Sequence, residues 1–173
     1  IMPPFRFLES LSANAYPRIM QSTTDSPNVI ALPPFIFLGG LLVGFAIDWF
    51  LPKPFIPEAY DLPLGLVVIA LGIFLIAWQR SALLMEDGID VRKTPTAIVS
   101  ALPYSMSRNP MYLGMTLILL GFAIWLNSLW ILSMLVFVHF VLHYGGVARE
   151  EAYLEKKFGK TYLDYKKKVR RWL

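Results

Sequence analysis

The chain contains no cysteine and only two histidines among its 173 residues. It can therefore form no disulfide, no thiolate metal site and no cysteine nucleophile. Charge is also scarce, because Asp, Glu, Lys and Arg together make up 16% of the residues, whereas soluble domains usually carry about 25%. Hydrophobic residues reach 56%, and the mean hydropathy is +0.54. This composition favours an integral-membrane protein.

Most of the hydrophobic residues fall in four runs separated by polar loops, at positions 35–51, 62–84, 110–126 and 129–147. Each run is long enough, as an α-helix, to cross a hydrocarbon core of about 30 Å. Lipid offers no hydrogen bonds to the backbone, so spanning segments of this kind form helices. We predict an all-α fold: an integral-membrane bundle of four transmembrane helices with a cytoplasmic C-terminal amphipathic helix.

The runs divide the chain into a polar N-terminal segment (1–28), a first pair of transmembrane helices (29–84) and a C-terminal half (85–173). The third and fourth runs are joined by Asn127 and Ser128 alone, which predicts an antiparallel helical hairpin. Residues 1–28 have no compact apolar core, so we expect no cleavable signal peptide there.

The lysines and arginines predict the orientation, since cytoplasmic loops carry an excess of them. Four helices place the N-terminal part, the long loop and the tail on one side. These regions hold two, four and nine Lys and Arg respectively, while the first inter-helix loop holds only Lys53. We therefore expect a multi-pass protein with both termini in the cytoplasm.

The tail from Arg149 onward has the pattern of an amphipathic helix. Apolar residues recur at spacings of three and four, namely Leu154, Phe158, Tyr162, Tyr165, Val169 and Trp172. The pattern predicts one continuous stripe across Gly159, with basic residues opposite and the helix lying on the inner leaflet. The alternative is a helix that docks on the protein's own loops. We expect no nucleic-acid binding, because the basic tail begins at a membrane exit.

The third run begins in "SRNPMYLG", residues 107–114. Asn109 is a favourable N-cap residue, and Pro110 suits the first helical position. Arg108 lies beside the free N–H groups of a helix N-terminus, which predicts an anion site. A positive anchor at the membrane surface explains Arg108 as well.

The fourth run ends in "HFVLHYGGVAREE". At about 100° per residue, His139, His143, Gly146 and Glu150 share one helical face, and Glu151 is turned away from it. Histidines in membrane helices are functional candidates, although a hydrogen bond between helices explains them equally. We expect no metal site, because Glu150 lies two turns beyond His143.

The two-residue hairpin places the start of the third helix beside the end of the fourth. Arg108 and Asn109 should therefore lie near Arg149, Glu150 and Glu151 at one membrane depth. A cation and carboxylates that face one another suit a zwitterionic ligand.

The stretches "LPYSMSRNPMYLG" and "REEAYLEKKFGKTYLDYKKKVRRW" resemble the isoprenylcysteine carboxyl methyltransferase and phospholipid methyltransferase superfamily, particularly its small bacterial members. The resemblance covers about residues 94–172. It implies S-adenosylmethionine as the cofactor and a location in the bacterial inner membrane. The implied cofactor-binding residues are Thr96, Ala97, Ile98, Val99, Tyr104, Asn109, Pro110, Met111, Tyr112 and Glu150. We add Arg108 from its charge and Gly114 as a residue that shapes the pocket.

This chain departs from the family pattern at two positions. Leu102 stands where glycine is usual, so the loop over the cofactor should differ. Asn109 stands where the eukaryotic enzymes have histidine, so prenylated proteins are not the expected substrates.

We predict an S-adenosylmethionine-dependent methyltransferase that modifies a lipophilic or membrane-embedded acceptor, whether a lipid amine, a thiol or a carboxylate. His143 or Glu151 would accept a proton, and Arg149 would hold an anionic acceptor. Membrane lipids are the expected partners, and the oligomeric state is left open. The alternatives are a nicotinamide-dependent membrane reductase related to sterol reductases and a non-catalytic membrane protein with a lipid-binding tail.

Overall fold

The computed structural model describes residues 33–87, residue 98 and residues 102–172. The helices are α1 (Pro33–Phe50), α2 (Glu58–Asp87), α3 (Pro110–Trp125) and α4 (Leu129–Leu142), then a π-helical turn (His143–Val147), α5 (Ala148–Phe158) and α6 (Lys160–Lys168). The π-helical turn joins α4 to α5 without a break. Within the described ranges every regular element is a helix, so the predicted all-α class is confirmed there.

Three helices of the described chain are long and apolar enough to cross a membrane: Pro33–Phe50, Glu58–Met85 and the continuous Leu129–Phe158. The remaining apolar helix, α3, has 16 residues. Its length of about 24 Å is less than the hydrocarbon core of about 30 Å. By length and composition the structure therefore gives three candidate spans, one fewer than the sequence predicted.

Glycines let α2 and α3 pack closely. A Cβ atom on Gly72 would lie 2.6 Å from the carbonyl oxygen of Gly114, and one on Gly121 would lie 2.8 Å from that of Gly65. Small residues of this kind allow helix backbones to approach each other. Gly114 therefore faces α2, and its role in the structure is helix packing.

On the other side, α3 packs against α4, and α1 packs along α4. The contact between α1 and α4 also uses glycines, because a Cβ atom on Gly44 would lie 2.8 Å from the Cα atom of Ile131. The core lies where these three helices meet. Its buried residues are Phe37, Tyr112, Leu119, Ala123, Ile131, Val138, Leu142 and Val147.

The turn between α3 and α4 forms a polar network, which we call the hairpin end (Asp48, residues 51–56 and residues 127–130). Asn127 has φ 47°. Its Oδ1 accepts hydrogen bonds from the N–H groups of Phe55 and Ile56, and its Nδ2 donates to the Ile56 carbonyl, at 2.8–3.0 Å. Ser128 caps α4 and donates to Asp48 Oδ1 at 2.8 Å. The short link was predicted, whereas this network was not.

The tail does not form the single helix that was predicted. Gly159, with φ 53° and ψ −125°, ends α5 and separates it from α6. Beyond α6 the backbone is extended at Val169. Tyr162 is only 2% exposed, and the Tyr165 hydroxyl donates to the Tyr104 carbonyl at 2.7 Å. The apolar side of α6 therefore docks on the protein's own loop, as in the alternative that the sequence left open.

Candidate functional site

The structure brings the start of α3 beside the start of α5, as the hairpin predicted. Arg108 Nη1 lies 3.1 Å from Glu151 Oε1, and the Tyr112 hydroxyl donates to Glu150 Oε2 at 3.1 Å. We call this region the charged end. It comprises Tyr104, residues 107–112, His143, residues 150–151 and residues 169–172.

Glu151 is buried between two guanidinium groups. Arg171 donates from Nη2 to Oε2 at 2.6 Å and from Nε to Oε1 at 3.1 Å, while Arg108 approaches Oε1. The hydrogen bond to Glu151 is the main reason that the pKa of Arg171 is raised. Both oxygens of Glu151, which the sequence nominated as a proton acceptor, are therefore already bound by cations.

His143 is also held by Arg171, because its Nε2 lies 3.3 Å from Arg171 Nη1. A guanidinium can only donate, so Nε2 accepts the hydrogen bond and the proton of the neutral ring lies on Nδ1. His139 contacts the neighbouring Trp172, with a distance of 4.5 Å between ring centroids. Both histidines therefore contact residues near the end of the chain.

The predicted helical face of His143 and Glu150 is wrong. The π-helical turn (His143–Val147) contains an extra residue per turn, so the count of 100° per residue fails beyond His143. As a result, His143 shares its partner Arg171 with Glu151. Glu150 instead shares the Tyr112 side with Gly146, where a Cβ atom would lie 3.4 Å from the Tyr112 hydroxyl.

Glu150 differs from Glu151 in its pairing. It is partly buried and accepts a hydrogen bond from the neutral Tyr112. Among the described residues, no Lys or Arg forms a salt bridge with it. A carboxylate removed from water without a cation is unfavourable, so Glu150 is a candidate for binding a cationic group.

Tyr104 connects the charged end to α2. Gln79 donates from Nε2 to the Tyr104 hydroxyl oxygen at 2.6 Å. Burial is the main cause that raises the pKa of Tyr104 to about 12, and the charge of Glu150 adds to the shift. The Tyr104 phenol is therefore protonated at neutral pH. The negative charge of Glu150 is near enough to contribute to this pKa shift.

The start of α3 is bound by residues 170 and 171. Asn109 occupies the predicted N-cap position, with Pro110 as the first helical residue, but its side chain makes no capping hydrogen bond. Its Nδ2 instead donates to the Arg171 carbonyl at 3.1 Å. Arg108 is buried with 8% of its side chain exposed, and its Nε has no hydrogen-bond partner within the described part of the chain. Buried donors are nearly always paired, so this Nε is a candidate for contact with a ligand anion.

The remaining predicted site residues have other surroundings or lie outside the described residues. Met111 packs against the core, Gly114 faces α2, and Arg149 is exposed at the start of α5. Ile98 is partly buried. Residues 96, 97 and 99 (Thr96, Ala97 and Val99) lie outside the described residues.

Sequence reasoning missed Ser107 and Arg171 of the charged end, and Gln79 of α2, which donates to Tyr104. Gln79 is 5% exposed, and an amide inside an apolar run was the signal that could have found it. Arg171 was counted with the basic face of the tail. Only the break at Gly159 and the extended chain after α6 turn it inward, and no helical pattern reveals that.

Comparison with known proteins gives a family and a relative. The sequence profile described as phospholipid methyltransferase matches residues 60–161. A protein of Haemophilus influenzae titled "Uncharacterized protein" is 53% identical over 64 residues, which are 36% of this chain and 100% of that protein. No solved structure matches the chain.

Proposed function

The chain belongs to the phospholipid methyltransferase family, and on that premise we propose an S-adenosylmethionine-dependent methylation of a lipophilic acceptor held in the bilayer. The observation that carries the proposal is the charge arrangement at the charged end. Glu150 has no cation among the described residues, while the adjacent cluster of Arg108, Glu151 and Arg171 carries one positive charge in excess.

The residues present fit the cofactor. Its amino-acid part carries an ammonium and a carboxylate next to the sulfonium, and the charged end offers both a carboxylate without a salt bridge and a guanidinium. Glu150, fixed by Tyr112, would hold the cationic groups, and the unpartnered Nε of Arg108 would face the carboxylate. Gly146 lets the Tyr112 hydroxyl pack close to the helix backbone, because a Cβ atom there would lie 3.4 Å from that hydroxyl.

When bound, S-adenosylmethionine supplies an electrophilic methyl group, and the chain's own residues bind, orient and exclude water around it. The oxygens of Glu151 and the Nε2 of His143 are engaged by Arg171, so we assign both residues to positioning. An acceptor whose attacking atom carries no proton, such as a carboxylate or a tertiary amine, therefore suits the described residues best. Arg149, at the exposed start of α5, would face an anionic acceptor.

We also propose that α3 crosses the membrane as a fourth span, paired closely with the longer α2 through Gly72 and Gly114. The topology then places nearly all lysines and arginines, and the charged end, on the cytoplasmic side. A polar cofactor would enter there, and a lipophilic acceptor would enter from the bilayer. The exposed lysines of α5 and α6 would contact anionic lipid headgroups.

Calorimetry on the purified full chain in detergent tests the proposal. We expect S-adenosylmethionine to bind, and Glu150→Ala and Glu150→Gln to abolish binding, because they remove the one carboxylate of the described charged end that forms no salt bridge. Glu155→Gln is the matched control, since Glu155 pairs with Lys166 at the surface, and it should bind as the wild type does.

Two results would contradict the methyltransferase proposal. One is the absence of S-adenosylmethionine binding by the wild type, and the other is equal binding by the Glu150 variants. Binding of NADPH in place of S-adenosylmethionine would favour a membrane reductase.

A further inference from the structure

Residues 169–172, which we call the closing segment, cross the start of α3 after α6 has ended. The Arg170 carbonyl accepts from the Arg108 N–H at 3.0 Å. The Arg171 carbonyl accepts from Ser107 Oγ at 3.3 Å and from Asn109 Nδ2 at 3.1 Å. Donors at the N-terminal end of a helix usually bind water, a capping side chain or a ligand. Here a distant segment of the same chain covers the residues just before the helix.

Side chains of the closing segment fasten it to α4 and α5. Arg171 contacts Glu151 through two hydrogen bonds and approaches His143 with its third nitrogen. Val169 is 8% exposed, and Trp172 lies against His139. The closing segment thus joins the start of α3 to the continuous helix of α4 and α5, the two elements that carry Arg108 and Glu150.

Arg171 also determines which donors of Arg108 are occupied. Arg171 donates to Oε2 of Glu151 and also to Oε1, so Arg108 reaches Glu151 only from Nη1 to Oε1. The Arg108 side chain also contacts the Tyr162 hydroxyl. The planar guanidinium of an arginine binds a lone carboxylate with two parallel hydrogen bonds when it can. Without Arg171, Arg108 would therefore turn to engage both oxygens of Glu151, and its Nε would be paired within the protein and no longer available to a ligand.

We propose that Arg171 is a positioning residue for the cofactor: it holds the closing segment over the site and, by occupying Glu151, keeps Arg108 directed at the carboxylate of S-adenosylmethionine. This inference rests on the proposed function. It adds Arg171, which lies outside the helical motifs, to the residues that position the cofactor. It also predicts that loss of Arg171 specifically removes recognition of the cofactor's carboxylate.

The first test compares the binding of S-adenosylmethionine and of its decarboxylated analogue by calorimetry. The wild type should bind the carboxylate-bearing compound more tightly, and Arg171→Ala should lose most of that preference, about 10–100-fold, the value of a hydrogen bond between charged groups. Arg171→Lys should recover it only in part, because an ammonium cannot bind both oxygens in a fork. Arg170→Ala is the matched control, since that side chain is exposed and its carbonyl is retained.

If Arg171 had only a structural role, Arg171→Ala would weaken the binding of both compounds by the same factor. If Arg171→Ala kept the wild-type preference for the carboxylate, the positioning role would be overturned, whatever happened to thermal stability.

The second test needs no cofactor and uses the absence of cysteine in the chain. Ser107 is 2% exposed beneath the closing segment, so a cysteine in the Ser107→Cys variant should react slowly with a maleimide. Adding Arg171→Ala should speed the reaction at least about tenfold, and adding Arg170→Ala should not. Equal rates in the three backgrounds would overturn the closing role. Failure of the wild type to bind either compound would instead overturn the proposed function.

Discussion

The hairpin end and the charged end differ in how completely their polar groups are paired. At the hairpin end, Asn127 makes three hydrogen bonds to the loop between α1 and α2, and Trp130 donates to the Leu51 carbonyl at 2.7 Å. These hydrogen bonds join neutral groups, and the charged residues of the hairpin end are Asp48 and Lys53. The charged end holds Arg108, Arg171, Glu150 and Glu151. Among the described residues the Nε of Arg108 has no hydrogen-bond partner, and Glu150 accepts a hydrogen bond from Tyr112 but forms no salt bridge.

The difference separates a structural network from a candidate binding site. Buried polar groups are nearly always paired in folded proteins, because an unpaired one costs stability. Buried polar groups that are unpaired in the protein are often found where a bound ligand supplies the missing partner. The two ends lie at opposite ends of the same helical hairpin, yet within the described ranges only the charged end has a buried side-chain donor without a partner, the Nε of Arg108.

The largest effect should follow from breaking the ion cluster. Glu151→Gln leaves Arg108 and Arg171 buried around an amide, which should lower the free energy of unfolding by about 3–5 kcal/mol and also weaken cofactor binding. Chemical unfolding in detergent measures the first effect. Glu155→Gln, at a surface pair, should cost less than about 1 kcal/mol. Equal stability of the two variants would show that Glu151 does not hold this end together.

The next effect belongs to the hairpin end. Asn127→Ala removes three hydrogen bonds at about 1 kcal/mol each, so it should cost about 3 kcal/mol of stability and leave the Kd for S-adenosylmethionine within about twofold. Asn127→Asp keeps the acceptor for Phe55 and Ile56 and should cost less. A large change in Kd for Asn127→Ala would mean that the two ends are coupled.

A smaller effect should separate packing from cofactor binding at Gly114. A Cβ atom there would lie 2.6 Å from Ile76 Cγ1 and 2.9 Å from the Gly72 carbonyl oxygen. Gly114→Ala should therefore cost about 1–3 kcal/mol of stability and leave cofactor affinity unchanged. Gly39→Ala is the control, because nothing lies within 4 Å of its Cβ position. If a fully folded Gly114→Ala protein bound the cofactor more weakly, the prediction that Gly114 shapes the cofactor pocket would be supported instead.

Helix positions and their pairing could be predicted because they depend on local patterns. Apolar runs give the helices, Pro110 marks the start of α3, and the two-residue link forces Arg108 and Glu151 to the same end. The π-helical turn could not be predicted, since a single extra residue in a turn depends on packing around Gly145 and Gly146. The role of Arg171 was also hidden, because the positive φ of Gly159 redirects the chain and a helical pattern assumes that it continues straight.

The identity of the binding end is tested most directly by methyl transfer in a membrane. The full chain is reconstituted in vesicles of bacterial lipid extract and supplied with S-adenosylmethionine labelled on its methyl group. We expect label in a lipid-soluble product with the wild type and with Glu155→Gln, and none with Glu150→Gln. No transfer by the wild type, or equal transfer by Glu150→Gln, would contradict the assignment of Glu150 and the charged end to cofactor binding.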